Sequence, residues 1–292
     1  MTGWVAARPA TVPAIMRGAI DLSSLHVAIT GGARGLGAAT AERLGREGAR
    51  IALGDVDVGA VTATAARLGA YAAPLDVTDR ESFEAFLDAA EAAQGPIDVL
   101  VNNAGIMPIG PFTDEPDAAA HRMVDVNLHG VILGCKLVLP RMLARGGGHV
   151  VNVASVAGRI ASLPGLATYV ATKHAVVGLS EALRCEVEGR GVWVSAVLPN
   201  LTQTRLGSGM KPARGARKLT PEEVAHAIAD GLRRPRPEIY VPRSLGPQIL
   251  LSAVTPRRVR RPLQKLLRMD AIASDFDARA RADYQARTGR PT

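Results

Sequence analysis

An α/β fold with a doubly wound, parallel sheet of seven strands is what this sequence predicts, and three observations predict it. Short β-branched runs alternate with longer Ala-rich segments of helical period. Several of the short runs are apolar throughout, as strands covered on both faces are. A glycine-rich turn joins the first run directly to a helix, the arrangement of a Rossmann-type, dinucleotide-binding domain. The chain has 292 residues, of which 47% are apolar, enough to bury a sizeable core.

Taken in order, residues 1–23 form an N-terminal arm. They lack the apolar core of a secretory signal, and two prolines interrupt them, so a loose segment is expected. The domain body spans 24–242. Its strand candidates are "HVAIT" (26–30), "RIALG" (50–54), "YAAPL" (71–75), "IDVLV" (97–101), "HVVNV" (149–153), "VWVSAV" (192–197) and "EIYVP" (238–242). Between them lie helical patterns such as "GAATAERLGREG" and "ESFEAFLDAAEAAQG". Thr220-Pro221-Glu222-Glu223 has the spacing of a capping box with proline at the first helical position, which predicts a helix to about Leu232. Residues 243–292 form a basic C-terminal extension, divided by Pro256 and Pro262 into two short segments. No run of about 18 apolar residues occurs, so no membrane span is expected.

The net charge of +8 is local rather than general. Between Arg243 and Arg268 lie seven cations (Arg243, Arg257, Arg258, Arg260, Arg261, Lys265, Arg268) and no acid, and without them the chain carries only +1. A basic patch with no recognition motif does not indicate nucleic acid. Two cysteines, Cys135 and Cys185, give no disulfide framework, which fits a reducing, cytoplasmic setting. No tight Cys/His cluster indicates a metal.

The first strand ends in "TGGARGLG" (30–37), where Gly31, Gly35 and Gly37 permit a tight turn, a close phosphate approach and close helix–strand packing. The helix that follows presents free N–H groups and a positive dipole end to a pyrophosphate. Asp55 ends the second strand about 20 residues later, where a carboxylate accepts from the ribose 2′-OH of NAD and repels the 2′-phosphate of NADP. It also reads as an ordinary turn residue, and Arg34 in the loop is a cation suited to a 2′-phosphate. NAD is the expected cofactor, with NADP the alternative.

Further motifs follow in order: Asp76 and Val77 in "LDVTD", "NNAG" at 102–105 with Asn103, Ala104 and Gly105, and Asn127 in "VDVNLHG". Ser155 opens "SVAG", Tyr169 and Lys173 lie in "YVATK", and "PNLTQT" carries Pro199 and Thr204. On this series the sequence over about 24–242 resembles the short-chain dehydrogenase/reductase family. The resemblance implies a catalytic set of Asn127, Ser155, Tyr169 and Lys173. It implies cofactor contacts from Gly31, Arg34, Gly35, Leu36, Gly37, Asp55, Asp76, Val77, Asn103, Ala104, Gly105, Tyr169, Lys173, Pro199 and Thr204. Two departures stand out: Asn200 replaces the usual glycine after Pro199, and the Ser155–Tyr169 separation is about one residue long for the family.

The chemistry is consistent with that set. Transferring a hydride between an alcohol and a nicotinamide needs a group that takes or gives the hydroxyl proton. A free tyrosine, with a pKa near 10, is a weak base at neutral pH, and lowering it by 2–3 units needs roughly 3–4 kcal/mol. Residues i and i+4 of a helix are neighbours, so the Lys173 ammonium, together with the cationic oxidised nicotinamide, is expected to supply it. Ser155 is expected to position the substrate oxygen. Asn127, by resemblance, holds a water that relays protons from Lys173.

His121, His129, His149 and His174 fall where this mechanism has no use for them, and Cys135 and Cys185 read as helix-packing residues. "RLGSGMKPARGARKL" after Thr204 reads as a mobile lid, whose cations Lys211, Arg214, Arg217 and Lys218 are either solvated or meet an acidic substrate group. Leu263, Leu266 and Leu267 beside Lys265 and Arg268 fit either a peripheral membrane contact through 243–268 or a helix packed across the cleft or a subunit interface. The resemblance further implies a homodimer or homotetramer built on helices around 115–140 and 167–188. The expected substrate is a lipophilic secondary alcohol or ketone. The competing reading is a catalytically inactive dinucleotide-binding sensor or membrane-surface scaffold.

Overall fold

The computed structural model describes residues 19–267 and 276–288. Seven strands form one sheet: β1 (His26–Thr30), β2 (Arg50–Asp55), β3 (Tyr71–Pro74), β4 (Val99–Asn102), β5 (Gly148–Val153), β6 (Val192–Pro199) and β7 (Glu238–Val241). Their order is β3-β2-β1-β4-β5-β6-β7, and every pairing is parallel. The order reverses between β1 and β4, so a crevice opens at their carboxyl ends, where doubly wound sheets bind ligands. All seven strand candidates are found, and the boundary shifts of one or two residues fall at strand ends.

Right-handed crossovers place helices on both faces. They are α1 (Gly35–Gly45), α2 (Val58–Leu68), α3 (Arg80–Gln94), α4 (Asp117–Val124), α5 (Gly130–Arg145), α6 (Ala167–Val187) and α7 (Pro221–Arg233). Two apolar cores result, one per face. Leu100, Val150, Val194 and Phe83 belong to one, and Ile29, Leu53, Val197 and Ile228 to the other. Consecutive residues of one strand alternate between these cores, which is why β1 and β4 are apolar throughout. The α7 capping box forms as expected: Thr220 Oγ1 accepts from the Glu223 N–H, and the Glu223 carboxylate accepts from the Thr220 N–H at 2.8 Å.

Three expectations are corrected. Residues 1–18 of the arm lie outside the described residues, but its end is packed rather than loose. Leu22 is buried, and the Ile20 N–H donates to the Arg233 carbonyl. In the extension, α8 (Leu245–Val254) stops before Pro256, yet Pro262 sits inside α9 (Arg257–Leu266) instead of ending it. A proline there removes a single helical donor, and this helix is largely exposed. A third helix, α10 (Ala278–Thr288), was not anticipated. The helical run 117–145 is long and apolar enough by composition to cross a membrane, but half of its most apolar window is buried inside the fold, as in the core helix of a globular domain.

Candidate active site

The crevice at the β1/β4 switch point is a cleft of about 850 Å³. Its floor begins at the glycine loop. Gly31 has φ of +66°, and a side chain on Gly37 would put its Cβ 2.2 Å from the Gly31 carbonyl oxygen, so the loop closes only with glycine at both positions. No side chain caps the first turn of α1, which leaves a bare helix N-terminus behind the loop. Gly31, Arg34, Gly35, Leu36, Asp55, Asn103, Ala104, Gly105, Pro199 and Thr204 all line the cleft.

The loop is held from both sides. Asp55 accepts from the N–H of Ala33 at 3.1 Å and from that of Asp57 at 3.0 Å. Asn103 donates to the Thr30 and Gly31 carbonyls, while Thr30 Oγ1 accepts from the N–H groups of Asn103 and Ala104. Arg34 pairs with Asp57 at 2.5 Å on the surface. Asn200, in place of the family's glycine, accepts the Leu201 N–H with its own side chain, a turn that asparagine forms readily. Asp76 and Val77 lie outside the cleft lining. The Asp76 carboxylate is occupied by Thr78, and Val77 is buried near Gly130.

At the far end, Ser155, Tyr169 and Lys173 line the same cleft. Ser155 follows β5 and caps a short 3₁₀ turn, its Oγ accepting from the Ala157 N–H at 3.1 Å. Tyr169 and Lys173 project from successive turns of α6, with the Lys173 Nζ 5.7 Å from the phenol ring centre. Nζ donates to the Val153 carbonyl at 2.8 Å. Burial pulls Lys173 down to about 8. Burial also pushes the Tyr169 phenol well above its ordinary value, partly offset by the Ser155 hydroxyl. The lowering expected from Lys173 together with the oxidised nicotinamide is not produced by the chain's own groups.

Asn127 sits in a single π turn, Asp125–His129, between α4 and α5, a distortion that recurs at functional sites. Its amide both donates to and accepts from the backbone of Ile106, at 2.8 Å each way. Gly105 keeps open the space beside it, since a Cβ at 105 would lie 3.3 Å from Asn127 Oδ1 and 3.8 Å from Lys173 Nζ.

The other candidates lie elsewhere. His149 is buried, with Nε2 2.8 Å from Ser195 Oγ, and burial lowers it to about 4. His129 pairs with Asp125, His174 meets the Val170 carbonyl, and His121 is outside the cleft lining. Cys135 is packed near Asn102 and Asn152, and burial pushes its thiol up to about 12. Cys185 is exposed on α6 rather than packed. Of the lid cations, Arg214 lines the cleft, Arg217 pairs with Glu223, and Lys218 reaches the Gly207 carbonyl. In the extension, Leu266 and Leu267 are exposed, whereas the Leu263 side chain and Arg268 lie outside the described residues.

One contribution was missed. Ala280 and Tyr284 of α10 line the cleft, and Tyr284 is close enough to Tyr169 to interact with it. The local signal was Asp277, whose carboxylate accepts from the N–H groups of Arg279 and Ala280 and so starts the helix.

Comparison with known proteins identifies the fold and the family. Residues 25–214 match the family described as short chain dehydrogenase. A probable oxidoreductase, EphD, of Mycobacterium tuberculosis is 35% identical over 250 residues, covering 81% of this chain and 40% of its own length. The chain thus spans less than half the length of that relative. The 2-(S)-hydroxypropyl-CoM dehydrogenase 3 of Xanthobacter autotrophicus is 40% identical over 222 residues, covering 69% of this chain and 87% of its own. A short chain dehydrogenase/reductase from Burkholderia phymatum, solved in complex with NAD, superposes with a TM-score of 0.71 at 29% identity, over 78% of this chain and 93% of that one.

Proposed function

This chain belongs to the short-chain dehydrogenase/reductase family, and we propose on that premise that it is an oxidoreductase interconverting a lipophilic secondary alcohol and its ketone with NAD as cofactor. The observation that carries the reading is the convergence of Ser155, Tyr169 and Lys173 on one end of a cleft whose other end is the glycine loop and the α1 N-terminus. The residues fit the cofactor: a cradle that a Cβ would fill, a bare helix end for the pyrophosphate, and Asp55 at the rim for the ribose.

A nicotinamide dinucleotide held by the glycine loop, the α1 N-terminus and Asp55 would supply the hydride for reduction of a carbonyl. Ser155 holds the substrate oxygen, and the Tyr169 hydroxyl gives it a proton. In the reverse direction Tyr169 takes the alcohol proton. Lys173 remains charged below about pH 8 and stabilises the phenolate formed when Tyr169 gives up its proton. Because burial alone raises Tyr169, the lowering must come with the positive charge brought by the oxidised cofactor. Asn127 fixes the Ile106 backbone and faces the gap beside Lys173, where a water would link the ammonium to solvent.

Apolar walls from Met107, Ile160, Leu163, Leu166 and Met210 support a lipophilic substrate. Asp55 supports NAD, and the engagement of Arg34 by Asp57 weakens its claim on a 2′-phosphate. The test is turnover of secondary alcohols and ketones with both cofactors. NAD(H) should be preferred, and Asp55→Ser should narrow that preference by about tenfold or more, the loss of one charge-assisted contact. An NADP(H) preference in the wild type would overturn the cofactor assignment.

A further inference from the structure

The substrate end of the cleft is roofed by α10, and the seam between this helix and the body is made of buried and part-buried hydrogen bonds. Arg281 is fully buried. Its Nη1 donates to the carbonyls of Leu206 at 2.7 Å and Ser208 at 2.9 Å, and its Nη2 donates to the Met107 carbonyl. One guanidinium thus ties the start of the lid to the loop after β4. Beside it, the Asp277 N–H donates to the Gly209 carbonyl at 2.9 Å. The Tyr284 phenol accepts the Met107 N–H at 2.8 Å, and Gln285 donates to the Ile109 carbonyl at 2.7 Å.

These bonds hold only in the closed arrangement. A buried guanidinium is costly unless its donors are met, and here Nη1 and Nη2 are met by backbone carbonyls of two separate segments while the buried Nε has no partner. If either segment withdraws, donors lose partners, so lid and roof are coupled. Arg281 also lies over the Tyr284 ring, 4.8 Å from its centre, and so orients the one large α10 side chain that lines the cleft among the described residues. The seam bonds of Arg281, Tyr284 and Gln285 run to the lid and the loop after β4, not to the glycine loop or Asp55, although Thr204, just before the lid, lies against Gly35.

We propose that α10 is a roof specific to the substrate half of the cleft, that Arg281 locks it to the 206–209 lid and the Met107 loop, and that Tyr284 is the specificity-determining residue it presents to the substrate. This rests on the oxidoreductase reading above. A roof of this kind admits a ketone with a compact apolar body and limits the length of what lies beyond the reacting carbon. Tyr284 lines the same cleft as Tyr169, beside the acid–base group.

The seam can be broken from either side in the full chain. Arg281→Met removes the lock. Gly209→Ala attacks it from the lid, because a Cβ there would lie 2.5 Å from the Asp277 carbonyl oxygen, at a φ of +72°. Both should speed hydrogen exchange of the Met107 and Asp277 amides by about tenfold or more, without need of any substrate. Both should raise substrate KM about tenfold while the cofactor Kd, read by NADH fluorescence, stays within about threefold. Tyr284→Ala should shift kcat/KM toward bulkier ketones by about tenfold. Unchanged exchange in Arg281→Met and Gly209→Ala, or equal losses in substrate and cofactor binding, would overturn the roof. Should the wild-type chain reduce no ketone, the exchange measurement still decides the roof, and the failure belongs to the functional reading alone.

Discussion

Tyr169 and Lys173 share a helix face, yet each is pushed toward its neutral form by burial. This is what desolvation does to both an acid and a base. Lys173 still carries its charge below about pH 8, so we propose that a cationic cofactor adds to it in easing proton transfer from Tyr169. His149 illustrates the same physics without function. Buried between strands, it stays neutral down to about pH 4, whereas an unfolded histidine takes up a proton near 6.5. The unfolded state thus binds more protons between these values, so stability rises with pH across the window and is lost as pH falls through it. The full effect is about 3 kcal/mol. Urea unfolding at pH 7 and pH 4.5 should show a steep loss in the wild type and a shallower one in His149→Gln. A weaker slope remains there because burial depresses His26 too. Equal slopes would contradict the assignment.

The seven strands and the capped α7 were legible because each is local. Strand candidates came from β-branched runs between glycines and helices, and Thr220 met Glu223 three residues away. The glycine loop, Asp55, Ser155, Tyr169 and Lys173 were legible for a similar reason, since their spacing sets them at strand ends and on one helical face. What stayed hidden depends on contacts far apart in sequence. No local pattern says that Arg281 would reach Met107 and Leu206, or that burial would outweigh Lys173 at Tyr169. Proline was over-read at 262, where a single lost donor is tolerated in an exposed helix. In the extension α10 covers the cleft and Leu245, Gln248 and Leu267 also line it, while α8 and α9 leave Leu250, Leu251, Val254, Val259 and Leu266 exposed near Arg258, Arg260, Arg261 and Lys265. We propose that this surface meets an anionic bilayer, each cation near it adding about 1 kcal/mol. Full-length protein should float with anionic liposomes in low salt, and replacing Arg258, Arg260 and Arg261 by Gln should abolish this. Equal flotation would remove the membrane from the account.

At the scale of the molecule, a parallel sheet carries the cofactor half of the cleft on elements fixed by two apolar cores, and the substrate half on loops and the extension. The family match covers residues 25–214, so α10 lies beyond it. Cys185 lies exposed on α6, one of the two long helical regions proposed to meet in a homodimer or homotetramer. Light scattering should give two or four copies, and a single copy would exclude that assembly. The central claim is that Tyr169 moves the proton while the rest of the cleft holds the cofactor. The most direct test is Tyr169→Phe, which keeps the ring and deletes the hydroxyl, assayed for turnover and for NADH binding in the same preparation. Turnover should fall by about 10²–10⁴-fold with cofactor affinity within about threefold. A variant that binds NADH normally and turns over as fast as the wild type would contradict it.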